Sequence, residues 1–276
     1  MLRTDDHSRD SAGLRYVYPV ISRRAGGVSV GINLNPNNAC NWACVYCQVE
    51  GLTRGGPPPI DLDLLEQELS GFLEAVLHGD FMQRCVPLEA QRLMDIAFSG
   101  NGEPTSSPEF PGAVARVARV LSNFSLNLPP RLITNGSLLH RSDVQSGIRH
   151  LGSLGGEVWF KLDRAGADEI QEINGVPGAP EKISRALETC AGLARTWVQT
   201  CWFALDGDPP SAGSVDAYCL LLRPLAHQLA GVHLYGLARP SMQAAASRLT
   251  ALPEPDMQLF ARRIEIETGL KVIVSP

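Results

Sequence analysis

"NACNWACVYCQVEG", residues 38–51, places three of the seven cysteines of this 276-residue chain within eight positions, at Cys40, Cys44 and Cys47. This Cys-x3-Cys-x2-Cys spacing lets one loop wrap a single inorganic centre with soft sulfur ligands. A structural zinc site requires four protein ligands, and no histidine lies near enough in sequence to be proposed as the fourth. A 4Fe-4S cluster normally takes four cysteines, so three would leave one iron open. A zinc site completed by a distant residue and cysteines that only pack remain alternatives.

The composition indicates one soluble domain in a reducing compartment. Hydrophobic residues make up 44% of the chain. A net charge of −5 argues against a chain whose whole surface binds nucleic-acid phosphates, although it leaves room for a local basic patch, and no DNA partner is expected. Residues 1–16 are polar throughout and lack the apolar core of a signal peptide. The longest apolar region, 218–236, is interrupted by Arg223, Pro224 and His227, so no membrane-spanning helix is expected. We therefore expect a cytoplasmic protein with no membrane partner, in which an odd number of thiols stays reduced.

Short β-rich runs alternate with segments of helical periodicity, the pattern of βα units around a parallel sheet. Strands are predicted at 27–34, 93–100, 131–136, 156–163, 196–205 and 231–240. Helices are predicted at 61–77, 110–124, 142–151, 180–194 and 214–230. The segment 256–274 is expected to form an Asp-capped helix, a stop at Gly269 and one more strand.

The predicted strands are apolar on one face and polar on the other. In 156–163, Val158 and Phe160 alternate with Trp159 and Lys161, and the strand at 27–34 shows the same alternation. A parallel strand with two packed faces is normally apolar on both. We therefore expect a wide or incompletely closed barrel whose inner face holds a ligand.

A family resemblance begins at the cysteine loop. The string "CNWACVYC", residues 40–47, resembles the signature loop of the radical S-adenosylmethionine (SAM) superfamily, Cys-x3-Cys-x-aromatic-Cys, with Tyr46 in the aromatic position. The resemblance implies an α/β fold, a partial (β/α)6 radical SAM barrel with a short C-terminal helix-strand extension. On that basis 1–26 is a flexible tail and lead-in, 27–240 the core barrel, and 241–276 an extension packed on the core.

A second motif follows the second predicted strand. "FSGNGEP", residues 98–104, is similar to the Gly-Gly-Glu segment of the same family, whose backbone holds the amino group of SAM. Gly100 and Gly102 permit close approach of the backbone to a ligand, and Glu103 offers a carboxylate to an ammonium group. Asn101 stands between the glycines, a departure that many subfamilies share. The resemblance therefore implies that residues 100–103 bind SAM.

The resemblance also implies the chemistry. The three cysteines would bind a 4Fe-4S cluster, with SAM chelating the fourth iron through its amino and carboxylate groups. One electron from a reductant such as flavodoxin or ferredoxin would cleave SAM to methionine and a 5'-deoxyadenosyl radical, which abstracts hydrogen from a substrate. The protein's part is to position the cofactor and exclude competing reactions. Two alternatives remain: transfer of the 3-amino-3-carboxypropyl group of SAM, and a non-catalytic metal-binding or iron-sulfur protein.

Further residues at the predicted strand ends match places where the family contacts SAM. Thr134 and Asn135 would lie near the ribose, unless the Asn-Gly pair only forms a turn. Asp163 would bind a ribose hydroxyl, or else form an ion pair with a neighbouring basic residue. Gln199 would frame the adenine, and Arg239 would bind a carboxylate of SAM or substrate, with a surface ion pair as its alternative.

Residues 27–245 most resemble the branch that includes the wyosine-base-forming tRNA enzymes, so the substrate is expected to be a small molecule or an RNA base. In that branch a lysine condenses with pyruvate, and Lys161 is the candidate here, with an ion pair to Asp163 as the ordinary alternative. Cys201 shares strand parity with Gln199 and is a candidate hydrogen donor. The other cysteines have no paired spacing and are expected to be structural thiols: Cys85 on a loop, Cys190 and Cys219 on helices.

Overall fold

The computed structural model describes residues 2, 12–22 and 26–275, so the predicted flexible tail lies largely outside the described residues. The chain divides into two compact units. Unit 1 consists of Met1–Asn41, Gly55–Ile133 and Arg141–Glu157, and unit 2 of Trp42–Arg54, Thr134–His140 and Val158–Pro276. The division into a tail, a core and a C-terminal extension stays a prediction.

The described residues form helices between the strands, as the alternating pattern predicts. The strands are β1 (Val17–Ser22), β2 (Gly27–Ile32), β3 (Ala39–Cys40), β4 (Thr53–Arg54), β5 (Leu93–Phe98), β6 (Pro130–Thr134), β7 (Glu157–Lys161), β8 (Arg195–Cys201), β9 (Ala204–Leu205), β10 (Gly231–Tyr235), β11 (Leu249–Thr250) and β12 (Val272–Ser275). The helices are α1 (Leu62–Leu77), α2 (Phe81–Cys85), α3 (Phe110–Asn123), α4 (Ser142–Ser153), α5 (Ala167–Asn174), α6 (Pro180–Leu193), α7 (Ala212–Leu222) and α8 (Glu254–Thr268).

In unit 1, β1 pairs antiparallel with β2, β2 pairs parallel with β5, and β5 pairs parallel with β6. The side chains of Val28, Val30 and Ile32 in β2 are fully buried, which makes this strand the centre of the unit's core. Helix α1 begins at the cap Asp61, whose side chain accepts the N–H groups of two first-turn residues. The buried stripe of α1 packs beside α3, which in turn packs against α4.

In unit 2, β8 and β10 run parallel with Gln199 opposite His233 and Cys201 opposite Tyr235, and β12 pairs parallel with the other edge of β10. Because side chains alternate along a strand, these four residues share one face. On the same face the ring of His233 lies between two indoles, 4.7 Å from Trp159 and 4.5 Å from Trp197 between centroids. The polar alternation predicted for the strands is therefore present in this unit.

Each of the six predicted strands coincides with an observed one, and the final helix, glycine stop and strand are confirmed. Strand β1 was not predicted because Pro19 interrupts its apolar run; an edge strand tolerates proline since one side of its backbone needs no donor. The predicted Asp cap is wrong, because α8 begins at Glu254 and takes Asp256 into its first turn. Among the described residues, no helix combines the length and the apolar character needed to cross a bilayer.

A glycine in the "ITNGS" segment tests how tightly unit 2 packs. Gly136 has φ +70°, and a Cβ there would lie 2.1 Å from the ring of Phe160. We expect Gly136→Ala to lower the free energy of unfolding by about 2–5 kcal/mol. Alanine is strained in the left-handed backbone conformation, and its Cβ would also clash with the Phe160 ring. The control Gly155→Ala has φ +73° with nothing within 4 Å, and should cost only about 1–2 kcal/mol. If urea unfolding showed the same loss of stability for both variants, the clash with Phe160 would contribute nothing to the cost of Gly136→Ala.

Candidate functional site

The second half of the cysteine loop, in unit 2, is closed by a tight turn. The N–H of Cys47 donates to the carbonyl of Cys44 at 3.0 Å. Cys40 ends β3 in unit 1, where its carbonyl accepts the N–H of Gly55 at 3.1 Å. All three thiols are reduced and half-buried. No three His, Cys, Asp or Glu side chains among residues 2, 12–22 and 26–275 are arranged to hold a metal ion.

Residues from the far end of the chain hold this half of the loop. Ser241 Oγ donates to the carbonyl of Val45 at 2.6 Å. Gln243 Nε2 donates to the carbonyls of Cys47 at 3.1 Å and Val49 at 2.8 Å. Backbone carbonyls inside an irregular loop have no regular hydrogen-bond ladder to join, so these side chains satisfy them. Neither residue was predicted from the sequence, where their one signal is a pair of polar side chains after the sixth predicted strand.

A buried carboxylate lies at the centre of the unit 2 site. Asp163 Oδ2 accepts from Tyr46 Oη at 2.5 Å and from Asn174 Nδ2 at 2.9 Å, and Oδ1 accepts from the N–H of Cys201 at 2.9 Å. The ammonium of Lys161 lies 3.9 Å from Oδ1, so the ion pair foreseen as an alternative is present. Asp163 therefore ties the aromatic residue of the cysteine loop to β8 and to the end of α5. Its contact with the SAM ribose stays a prediction.

The pKa values of the ionisable groups around Asp163 are shifted by burial and by the charges of neighbouring groups. Burial is the largest single effect on Lys161 and lowers its pKa, but the Asp163 carboxylate and the other acidic groups around it together outweigh burial, so the pKa is raised above its usual value. The ammonium also donates to Tyr235 Oη at 3.1 Å and lies 4.9 Å from the centroid of the Tyr46 ring. Burial raises the pKa of the Cys44 thiol to about 12, an effect that Lys161 opposes. Without a metal Cys44 is thus a protonated thiol, and metal binding would release its proton.

In unit 1, asparagine side chains hold the "FSGNGEP" segment, residues 98–104. Asn33 Oδ1 accepts the N–H groups of Asn35 at 3.0 Å and Asn101 at 3.2 Å. Asn101 Nδ2 donates to Asn38 Oδ1 at 2.6 Å. A Cβ on Gly100, which has φ +148°, would lie 2.4 Å from Asn33 Oδ1. The asparagines that precede the cysteines therefore hold the glycine segment, a role that was not predicted from the sequence.

Gly102 and Glu103 are constrained by the protein itself. A Cβ on Gly102 would lie 2.2 Å from the carbonyl oxygen of Ala39, so glycine is required by the backbone that leads into Cys40. Glu103 is buried, and its Oε1 accepts from the N–H of Thr105 at 3.1 Å and from Thr105 Oγ1 at 2.6 Å. This carboxylate caps the short 3₁₀ turn at Pro104–Ser106. Binding of the SAM amino group by these residues stays a prediction.

The remaining predicted SAM contacts belong to unit 2. Thr134 Oγ1 accepts the N–H two residues further on at 3.1 Å, and Asn135 Oδ1 accepts both the N–H and the Oγ of Ser137. These bonds form the turn that was the alternative interpretation of the segment. Gln199 is buried on β8, and Arg239 is half-buried. Their roles toward SAM stay predictions.

The cysteines outside the loop are placed nearly as expected. Cys190, Cys201 and Cys219 are buried on α6, β8 and α7. Cys85 is half-buried and ends the short helix α2, so its predicted position on a loop is wrong. That helix is only five residues long and presents too few turns for an apolar periodicity to be recognised.

No protein-family model matches the sequence. The chain is 31% identical over 156 residues to UPF0026 protein MJ1312 of Methanocaldococcus jannaschii, which is 56% of this chain and 42% of that protein. It is 25% identical over 130 residues to GTPase Obg of Brachyspira hyodysenteriae, 47% of this chain and 17% of that protein. The chain thus spans less than half the length of these curated relatives.

Solved structures with a similar fold are radical SAM enzymes. A radical SAM methyltransferase from Sphaerobacter thermophilus aligns with a TM-score of 0.63 and 17% identity over 94% of this chain and 68% of that one. TYW1 with a lysine-pyruvate adduct bound aligns with a TM-score of 0.59 and 17% identity, covering 90% and 76%. An archaeal TYW1 aligns at 0.54 and 14% identity, covering 98% and 80%. The predicted α/β partial-barrel fold and the resemblance to radical SAM enzymes are confirmed; at these identities the likeness shows the fold.

Replacing Asp163 tests its central place in unit 2. We expect Asp163→Ala to lower the free energy of unfolding by about 3–5 kcal/mol, because it leaves Lys161 and two side-chain donors buried without their acceptor. The matched control Asp216→Ala breaks an exposed ion pair to Arg263 and should cost about 0–1 kcal/mol. Urea unfolding measures the free energy of unfolding of both variants. If Asp163→Ala lost as little stability as Asp216→Ala, Asp163 would have no central role in the unit.

Thiol reactivity tests the burial of the cysteines outside the loop. Burial raises the pKa of Cys190 to about 12, against a weaker opposing hydrogen bond from Thr196. In the folded protein at about pH 8, we expect iodoacetamide to modify Cys190 at least about 100-fold more slowly than half-buried Cys85, because only thiolates react. Peptide mass spectrometry measures each site. In denaturant the two rates should converge, and a persistent difference there would point to local sequence instead of burial.

Proposed function

We propose that this protein is a radical SAM enzyme that binds a 4Fe-4S cluster through Cys40, Cys44 and Cys47 and cleaves SAM reductively. The observation that carries the proposal is a Cys-x3-Cys-x-Tyr-Cys loop in a chain with the fold of radical SAM enzymes. When bound, the cluster and SAM would supply a 5'-deoxyadenosyl radical that abstracts hydrogen from a small molecule or an RNA base. A reductant of the flavodoxin or ferredoxin type would deliver the electron.

The residues of the loop suit such a cluster. Sulfur ligands select iron-sulfur clusters over harder metal ions, and the spacing leaves no fourth cysteine in the loop. The backbone around Cys44 and Cys47 is held by Ser241 and Gln243, so side chains from a distant part of the sequence support the loop. The three half-buried cysteines form no disulfide, so their thiols are free to bind iron.

The chain's other site residues would bind and orient SAM and substrate. Gly102 and Glu103 would face the amino group, and Asp163 and Gln199 the nucleoside. Since its pKa is raised, Lys161 would act as an ammonium that binds an anionic substrate group. That state disfavours the nucleophilic amine needed for a lysine-pyruvate adduct like the one in the structurally similar TYW1.

Anaerobic reconstitution tests the proposal. With iron and sulfide, the full chain should take up about four irons and, with dithionite and SAM, should release 5'-deoxyadenosine. A triple variant, Cys40→Ala, Cys44→Ala and Cys47→Ala, should do neither, while the control Cys85→Ala should behave as the parent protein.

The products separate the alternatives. If the product were 5'-methylthioadenosine and not 5'-deoxyadenosine, the reaction would be transfer of the 3-amino-3-carboxypropyl group and not hydrogen abstraction. Zinc without iron in anaerobically purified protein, or a cluster that never cleaves SAM, would overturn the enzyme proposal in favour of a metal-binding protein.

A further inference from the structure

The C-terminal end of α5 is fastened to the cysteine loop through the backbone. The N–H of Ala43 donates to the carbonyl of Asn174 at 3.0 Å, and the N–H of Val45 donates to the carbonyl of Ile173 at 2.9 Å. The last carbonyls of an α-helix have no partner within the helix. The residues on either side of Cys44 therefore complete the helix end, and helix and loop stabilise each other.

The residue after the helix closes this contact. Gly175 adopts φ +66°, and a Cβ there would lie 3.0 Å from the carbonyl oxygen of Ala43. Its own carbonyl accepts from the guanidinium of Arg54 at 2.6 Å. Both ends of the loop segment 43–54 thus meet the same helix terminus. The loop cannot shift away from α5 without breaking bonds at both ends.

The side chain of Asn174 reaches from this helix end to a ligand sulfur. Its Nδ2 donates to Cys44 Sγ at 3.4 Å and to Asp163 Oδ2 at 2.9 Å, and the residue is 2% exposed. A carboxylate only accepts hydrogen bonds, so the NH2 group and not the amide oxygen must face Asp163. The same NH2 group faces the sulfur, and its two hydrogens match the two acceptors.

We propose that Asn174 is a positioning residue that donates an N–H···S hydrogen bond to Cys44 when this cysteine ligates the cluster, and that this bond raises the cluster's reduction potential. The inference rests on the proposed function. Hydrogen bonds to the sulfurs are one of the factors that set iron-sulfur potentials, and a donor stabilises the reduced cluster, which carries the extra negative charge. Burial strengthens the effect, because water does not screen the bond.

Matched variants separate the sulfur contact from the contact with Asp163. Asn174→Leu removes both hydrogen bonds at nearly constant volume. Tyr46→Phe removes one donor to the same Asp163 oxygen and none to a sulfur. Gln171→Leu alters an exposed residue one turn earlier on α5. In each reconstituted protein we would measure iron content, the thermal midpoint and the reduction potential, the last by a redox titration followed by electron paramagnetic resonance.

We expect the parent protein and all three variants to hold about four irons. The potential should fall in Asn174→Leu, stay at the parent value in Gln171→Leu, and change less in Tyr46→Phe even where the thermal midpoint drops. Asn174→Ala, which removes the same donor and leaves room, should lower the potential in the same direction if the leucine variant does not fold.

Two failures are distinguishable. A full cluster with an unchanged potential in the Asn174 variants, or an equal shift in Tyr46→Phe, would overturn the role of Asn174 and leave the proposed function intact. A parent protein that never assembles a 4Fe-4S cluster would overturn both.

Discussion

The site in unit 2 depends on one buried charge, the carboxylate of Asp163. A carboxylate removed from water is tolerated only where hydrogen bonds and a counter-charge replace its hydration. Tyr46, Asn174 and the backbone of Cys201 supply the hydrogen bonds, and Lys161 supplies the charge. Each comes from a different element, so the need to satisfy one side chain fixes the cysteine loop, α5, β7 and β8 relative to one another.

Most strands and helices could be predicted from the sequence because the patterns that specify them lie within each segment. Alternating polarity marked the strands, and an apolar stripe after an acidic cap marked α1. The failures were elements whose local signals conflict with their place in the structure. Strand β1 carries Pro19, which an edge position tolerates, and α5 has only eight residues, too few for a convincing helical period.

The candidate site was readable only in part. The three cysteines lie within one loop, so their spacing alone indicated a common role. The residues that support the loop are invisible to spacing, because Asn174 lies 130 residues from Cys44 and Gln243 lies 196 residues from Cys47. Gly102 was predicted to lie close to a ligand, which stays a prediction. The close approach in the structure is by a carbonyl oxygen of the chain itself, and no local pattern distinguishes that from a ligand.

The distance along the chain between the loop and its supports sets an order of events during synthesis. Cys47 leaves the ribosome 194 residues before Ser241, an interval of roughly 10–40 s at typical elongation rates. Throughout that interval the thiols lack the side chains that later hold the loop's backbone. A cluster delivered during that interval would find a loop without its supporting hydrogen bonds, and the cysteine thiols would be exposed to oxidants. The cluster proposed above would therefore be best assembled after residues 241–243 have emerged and folded back onto the loop.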